Sequence, residues 1–207
     1  MVSALDALAL LRNGNQRFLS DEPEFPRRNA RRRMQVASGP QLPFAVLVGC
    51  SDSRVPAEIV FDCGLGDLFV IRVAGNIVAS SQIGSVEFAA EQCGARLVVV
   101  LGHTECGAIQ STVAQIESRS TDLSPHLGVI VDFVRPVVEP LMEDETLRAD
   151  HDELVRRAVR ANVCRSVDAL REQSEVLKRL IEEDDLLIVG AEYALDTGVV
   201  DFFYGMP

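Results

Sequence analysis

Four short apolar runs rich in β-branched residues constrain the fold of this chain more than any other feature: Phe44-Ala45-Val46-Leu47-Val48, Leu68-Phe69-Val70-Ile71, Leu97-Val98-Val99-Val100-Leu101 and Leu186-Leu187-Ile188-Val189. Each is continuous rather than alternating, the pattern of a strand buried on both faces. Segments with helical spacing lie between them, such as Ile83 to Cys93 and Val155 to Ile181. Strand alternating with helix is the order a largely parallel sheet requires. Val199-Val200-Asp201-Phe202-Phe203, reached through the turn-like Asp196-Thr197-Gly198, adds an edge strand. The expected fold is α/β, a central mostly parallel β-sheet flanked by helices.

Ahead of the sheet, Ser3 followed by Asp6 resembles a capping box, and Leu5, Leu8, Leu11 and Phe18 mark one face of a helix that packs on a neighbouring surface. Pro23, Pro26, Pro40 and Pro43 punctuate the approach to the first strand, with no internal repeat or interdomain linker. The organisation expected is one domain over residues 1–207, with an N-terminal helical arm over 1–40 and an α/β core over 41–207. Leu123 to Asp152 is helical in pattern but poorly delimited.

The formal net charge of −11 sets the molecule against phosphate backbones and anionic membrane surfaces, so neither nucleic acid nor membrane is expected as a partner. The basic run Arg27-Arg28-Asn29-Ala30-Arg31-Arg32-Arg33 goes against this trend and reads as a solvated helix face or subunit contact, with a bound phosphate group or an anionic partner as the alternative. No apolar run approaches membrane-spanning length, and Met1-Val2-Ser3-Ala4-Leu5-Asp6 lacks the basic start of a signal peptide, so a cytoplasmic protein is expected. Its 5 cysteines, an odd number in a chain of ordinary domain size, argue for reduced thiols or metal ligands over a disulfide framework.

Two of the strands end in reactive sequences. Gly49-Cys50-Ser51-Asp52-Ser53-Arg54 follows the first and Gly102-His103-Thr104-Glu105-Cys106-Gly107 the third. Ligand sites of open α/β sheets gather at such carboxyl ends. If the two strands are neighbours, Cys50 meets His103 and Cys106 and offers one ion two thiolates and an imidazole, a zinc-like set with a fourth position left open. Asp52 can accept a hydrogen bond beside that position, with Arg54 holding the carboxylate through a bidentate pair. Two alternatives stand beside this reading: Asp52 takes the fourth position itself, or Asp52 and Arg54 are a structural pair capping a helix that begins near Pro56. A cysteine hydrolase using Cys50 or Cys106 with His103 is a further alternative, although this arrangement invites metal capture. Cys63, Cys93 and Cys164 read as core thiols, His126 and His151 as surface residues, and Gly64-Leu65-Gly66 as a turn ahead of a strand.

Taken together, Cys50-Ser51-Asp52-Ser53-Arg54, Arg72-Val73-Ala74-Gly75-Asn76 and Gly102-His103-x-x-Cys106-Gly107 resemble the β-class carbonic anhydrases. The likeness extends to Leu11-Arg12-Asn13-Gly14-Asn15-Gln16-Arg17-Phe18 and Val189-Gly190-Ala191-Glu192-Tyr193. It implies reversible hydration of carbon dioxide to bicarbonate and a proton by zinc-bound hydroxide. One Zn2+ per chain is held by Cys50, His103 and Cys106, and Asp52 and Arg54 act catalytically. On the substrate side the family pattern falls on Gln41, Phe69, Phe88 and Gly107, with phenylalanine at Phe88 where many members carry tyrosine. The resemblance also implies a homodimer or homotetramer in which the N-terminal helix reaches the partner and Phe69 and Phe88 line a neighbour's pocket. In a subset of the family bicarbonate closes the site by drawing Asp52 onto zinc. Arg72 and Tyr193 match that regulatory pocket, but its tryptophan position is Leu47, so switching of that type is expected to be weak or absent; an Asp52-closed state at low pH stays open as an expectation. The rival enzymatic reading is hydrolysis of carbonyl sulfide or carbon disulfide at the same zinc, and the rival of another class is a non-catalytic zinc protein.

Overall fold

A computed structural model of the chain describes residues 2–24, 28–118 and 123–207, so Met1, Pro26 and Arg27 of the sequence features above lie outside the described residues. Five strands, β1 (Ala45–Gly49), β2 (Leu68–Arg72), β3 (Leu97–His103), β4 (Leu187–Tyr193) and β5 (Val200–Tyr204), form one sheet in the order β2-β1-β3-β4-β5. β1 runs parallel to both β2 and β3, β3 is parallel to β4, and only β5 is antiparallel. This is the expected mostly parallel sheet.

The reason the runs are apolar throughout is that both faces of the sheet are covered. Leu47, Val99 and Leu101 point to one face, against Ala7, Leu8 and Leu11 of α1 (Ala4–Leu19) and Val60 of α3 (Ala57–Val60). Their neighbours Val46, Val48, Val98 and Val100 point to the other, against Val86 of α4 (Ser80–Gln92), Val163 and Leu170 of α8 (His151–Gln173) and Leu177 of α9 (Glu175–Glu183). Alternation of side chains along a strand therefore demands hydrophobic residues at every position. A third cluster lies beyond the sheet, where α5 (Gly107–Ser118), α6 (Pro125–Met142) and the first turns of α8 pack Ile109, Val113, Val134, Val138 and Leu154 around Cys50 and Cys106.

Helix α1 is seated on its own chain. Ser3 caps it by accepting from the Asp6 N–H at 3.1 Å, as expected, but its hydroxyl donates to the Asp6 carboxylate in place of the return bond of a full box. The buried stripe runs through Ala4, Ala7, Leu8, Leu11, Gly14 and Asn15; Leu5, placed on that face by sequence, is 60% exposed because it falls one residue off the stripe. Asn15 donates to the Val60 carbonyl (3.2 Å) and the Gly198 carbonyl (2.9 Å) and accepts from the Val200 N–H (3.0 Å), tying α1 to α3 and β5. At Gly14 a Cβ would lie 1.9 Å from the Phe61 carbonyl oxygen, a backbone atom that cannot step aside. Gly14→Ala is therefore expected to cost about 3 kcal/mol, a fall of roughly 6–12 °C in the melting midpoint for a chain of this size, read by calorimetry. By contrast, none of the residues of α2 (Ala30–Ala37) is buried. Arg28 and Arg32 reach from this segment to the carbonyls of Cys63 and Leu65, so part of the basic run is spent on the chain's own loop.

One helical reading needs correction and another gains definition. The spacing from Val155 to Ile181 belongs to two helices, α8 and α9, broken at Ser174, whose hydroxyl accepts from the Leu177 N–H and starts α9 afresh. The ill-defined stretch from Leu123 to Asp152 holds α6 and the short α7 (Glu145–Ala149), and α6 runs through Pro136 and Pro140. Both prolines are exposed, so the carbonyls they cannot pair face water while Val131, Val134 and Val138 stay buried on the opposite side. No helix among the described residues is long and apolar enough to cross a membrane.

Candidate metal centre

Parallel pairing of β1 with β3 places Gly49 opposite Leu101, so the loops that follow both strands leave the sheet side by side. This brings together the three residues singled out from sequence. The Sγ atoms of Cys50 and Cys106 and a ring nitrogen of His103 all lie within 4.8 Å of one another, and all three residues are buried. Glu105 adopts a left-handed conformation (φ 57°), turning the chain between His103 and Cys106.

The orientation of His103 follows from one contact. Its Nδ1 lies 2.8 Å from the Thr104 carbonyl oxygen, which can only accept, so Nδ1 carries the proton. Nε2 is left with its lone pair, and it is buried without a hydrogen-bond partner. An orphaned buried nitrogen beside two thiols is the donor set expected of a Zn2+ site with three protein ligands. The Cys106 thiol, hydrogen-bonded to Cys50, holds the Cys50 thiol far below its ordinary range; the same bond, with burial, pushes Cys106 up. The first proton therefore leaves the coupled pair readily, and a divalent cation has one further proton to displace.

Asp52 and Arg54 form the bidentate pair expected. Arg54 Nε donates to Asp52 Oδ1 at 2.9 Å and Nη2 to Oδ2 at 2.7 Å, and the Arg54 backbone N–H adds a third bond to Oδ1. These donors hold the Asp52 carboxyl well below the usual carboxylate range. Its Oδ2 lies 3.9 Å from His103 Nε2, so the carboxylate borders the cluster while bound to Arg54. Helix capping does not explain the pair, because α3 starts at Pro56 without a side-chain cap. Arg54 also reaches the Glu105 carbonyl (3.3 Å), linking the two loops.

Two contributions at this site went unseen in the sequence. Arg72, matched above to a regulatory pocket, donates to the carbonyls of Cys50 (3.0 Å) and Asp52 (2.6 Å) and so fixes the loop carrying both. The backbone N–H of Gly75, in a 3-10 turn at Ala74–Asn76, lies 3.4 Å from Cys50 Sγ. Backbone donors leave no side-chain signature, although the quoted Arg72-Val73-Ala74-Gly75-Asn76 segment contains the glycine such a turn needs.

Of the substrate-side candidates, Gln41, Phe69 and Phe88 are not gathered with the cluster. Phe69 and Phe88 pack on each other with ring centroids 6.2 Å apart; Phe69 stands opposite Val46, near the starts of β2 and β1, whereas Cys50 follows the end of β1. Phe88 is 49% exposed, and Gln41 lies exposed ahead of β1. Gly107 begins α5 immediately after Cys106, and a Cβ there would meet open space. Tyr193 is buried against Phe18 and Leu47 lies in the core. Cys63 and Cys93 are buried as expected of core thiols; Cys164 is only half-buried and lines a cavity of about 470 Å³ with Asn162, Ser166 and Asp168, because it falls at the margin of the buried face of α8. His126 and His151 are exposed and Gly66 occupies a turn with φ 80°, both as read from sequence.

Comparison with known proteins agrees with this geometry. A family model described as carbonic anhydrase matches residues 45–200. Carbonic anhydrase 2 of Mycobacterium tuberculosis is 38% identical over 188 residues, covering 91% of this chain and 87% of the relative. The carbonic anhydrase of Mycolicibacterium smegmatis is 35% identical over 191 residues, covering 92% and 89%. Among solved structures, the β-carbonic anhydrase CafA of Aspergillus fumigatus superposes with a TM-score of 0.74 at 25% identity, covering 97% of this chain and 90% of that one. A tetrameric β-carbonic anhydrase of Sordaria macrospora gives a TM-score of 0.75 at 24% identity, covering 83% and 85%.

Proposed function

The chain belongs to the β-carbonic anhydrase family and is a carbonate dehydratase, and on that premise we propose that it interconverts carbon dioxide and bicarbonate at one Zn2+ per chain held by Cys50, His103 and Cys106. The observation that carries the reading is the buried, unpartnered His103 Nε2 beside two cysteine sulfurs within 4.8 Å. A zinc ion there supplies Lewis acidity, which makes a nucleophile of water near neutral pH.

The chain's own residues do the rest. Asp52, ionised and clamped by Arg54, accepts a hydrogen bond from the attacking water and aims its lone pair at the substrate carbon. Arg54 holds that carboxylate at the border of the ligand cluster, and closure of the site by Asp52 requires breaking the bonds that join the two residues. Arg72 anchors the backbone on which both Cys50 and Asp52 ride. Gln41 and Gly107 serve the substrate side.

We assign Phe69 and Phe88 to the pocket of a neighbouring subunit in a homodimer or homotetramer. Phe69 of the edge strand β2 packs on Phe88 of α4, away from the cluster of their own chain, which supports this. We place the protein in the cytoplasm, where thiols such as those of Cys50 and Cys106 stay reduced. Metal analysis with stopped-flow carbon dioxide hydration tests the proposal: about one zinc per chain with hydration activity lost on chelation is the expected result, and zinc-loaded protein that hydrates no carbon dioxide at any pH overturns it.

A further inference from the structure

The Gly75 N–H can reach Cys50 Sγ only because the chain around it takes an unusual course. Gly75 (φ 70°, ψ 17°) and Asn76 (φ 43°) are successive left-handed residues, a conformation rarely adopted by two neighbours and open to a non-glycine residue only with strain. A Cβ on Gly75 would come 3.0 Å from the Cβ of Ala108, so the turn passes tightly against the start of α5, two residues beyond Cys106. Such a turn drifts unless something external fixes it.

Helix α8 supplies that fixing. Asn162 Nδ2 donates to the Gly75 carbonyl at 2.7 Å, and Ser166 Oγ donates to the Asn76 carbonyl at 3.1 Å. Both residues are buried, 2% and 3% exposed, and they stand one helical turn apart on a face otherwise apolar, with Val155, Val159, Val163, Val167 and Leu170 among its members. A buried amide and hydroxyl on an apolar stripe are costly there unless they answer specific partners. Their partners are the two carbonyls of the left-handed turn.

We propose that Asn162 and Ser166 are positioning residues of the metal centre: by gripping the carbonyls of Gly75 and Asn76 they hold the Gly75 N–H on the Cys50 sulfur and so set that ligand's donor strength. The inference rests on the assignment of Cys50 as a metal ligand. An N–H···S bond withdraws electron density from a thiolate, and the loss of an outer-shell partner typically costs roughly 10–100-fold in metal affinity. Neither residue touches the ligands, so both act wholly through the turn.

The test uses Asn162→Leu, which keeps the branched shape and removes the donor, and Ser166→Ala, the milder change that keeps the experiment open if the first variant fails to fold. Leu170→Ala, on the same helix but against the sheet, controls for lost stability. The readouts are zinc affinity by chelator competition and the thiolate-to-metal charge-transfer band of the Co2+-substituted protein. The expected result is roughly tenfold weaker zinc binding and a band moved to longer wavelength in the Asn162 and Ser166 variants, with Leu170→Ala lowering the melting midpoint and leaving the band in place. Folded Asn162 or Ser166 variants with wild-type affinity and an unmoved band overturn the proposal. A wild-type protein that binds neither Zn2+ nor Co2+ overturns the ligand assignment itself, an outcome visible before any variant is made.

Discussion

Cys50→Ser is expected to empty the chain of zinc and to bring carbon dioxide hydration down to the rate of buffer alone. Serine keeps the shape of cysteine but not its acidity. Cys50 is one of a coupled thiol pair that gives up a proton readily, and its sulfur also accepts from the Gly75 N–H. A serine hydroxyl stays protonated at the same place and offers zinc a weak neutral oxygen. Loss of an outer-shell partner already costs roughly 10–100-fold in affinity, and loss of one of three direct ligands costs more. A metal held by the proposed ligands would bind only the folded chain, so zinc at about 1,000 times its dissociation constant would stabilise the wild type by about 4 kcal/mol. Chelation should therefore lower the melting midpoint of the wild type and leave that of Cys50→Ser almost unmoved. Metal content, hydration rate and calorimetry check the three statements together. A variant that retains a full zinc and its activity would remove Cys50 from the ligand set.

The legibility of this site in the sequence has a physical limit. Cys50, His103 and Cys106 were readable because they follow two apolar runs, and parallel neighbours bring their carboxyl ends to one edge whatever the distance along the chain. Asp52 and Arg54 were readable because a short loop leaves two residues two positions apart little choice but to meet. The support behind them was hidden. Gly75 acts through its backbone, and Asn162 and Ser166 sit in a helix whose remaining buried face is apolar, so nothing in their spacing marks them.

The fold shows the same division. Strands buried on both faces announce themselves by composition, and all five expected strands are present. Helix ends are decided by contacts that composition does not carry. Ser174 breaks a continuous helical pattern because its hydroxyl caps the next helix and donates to Glu87 of α4 at 2.6 Å. Pro136 and Pro140 fail to break α6 because they face solvent. Phe69 and Phe88 fall on the substrate side by resemblance alone, and in one chain Phe69 of the edge strand packs on Phe88 of α4.

Asp52→Asn separates metal binding from chemistry. The backbone of residue 52 is held by Arg72 (2.6 Å) and by the Val55 N–H (3.1 Å), neither of which depends on the carboxylate, so the loop and its Cys50 ligand stay in place. Zinc content should match the wild type. Without its charge the side chain is a poorer acceptor for the attacking water and no longer satisfies the Arg54 fork, and kcat/KM should fall about 10²–10³-fold, the scale of a lost positioned acid–base group. Arg54→Ala acts differently: the carboxylate keeps its charge, loses two side-chain donors and, with Oδ2 only 3.9 Å from His103 Nε2, becomes free to swing into the ligand cluster. Activity falls there too, but zinc is held at least as tightly. Because Arg54 works through Asp52, the two losses are not expected to add, and the double variant should be no slower than Asp52→Asn alone. Fully additive losses in stopped-flow assays of the three variants would mean that Arg54 contacts the substrate in its own right.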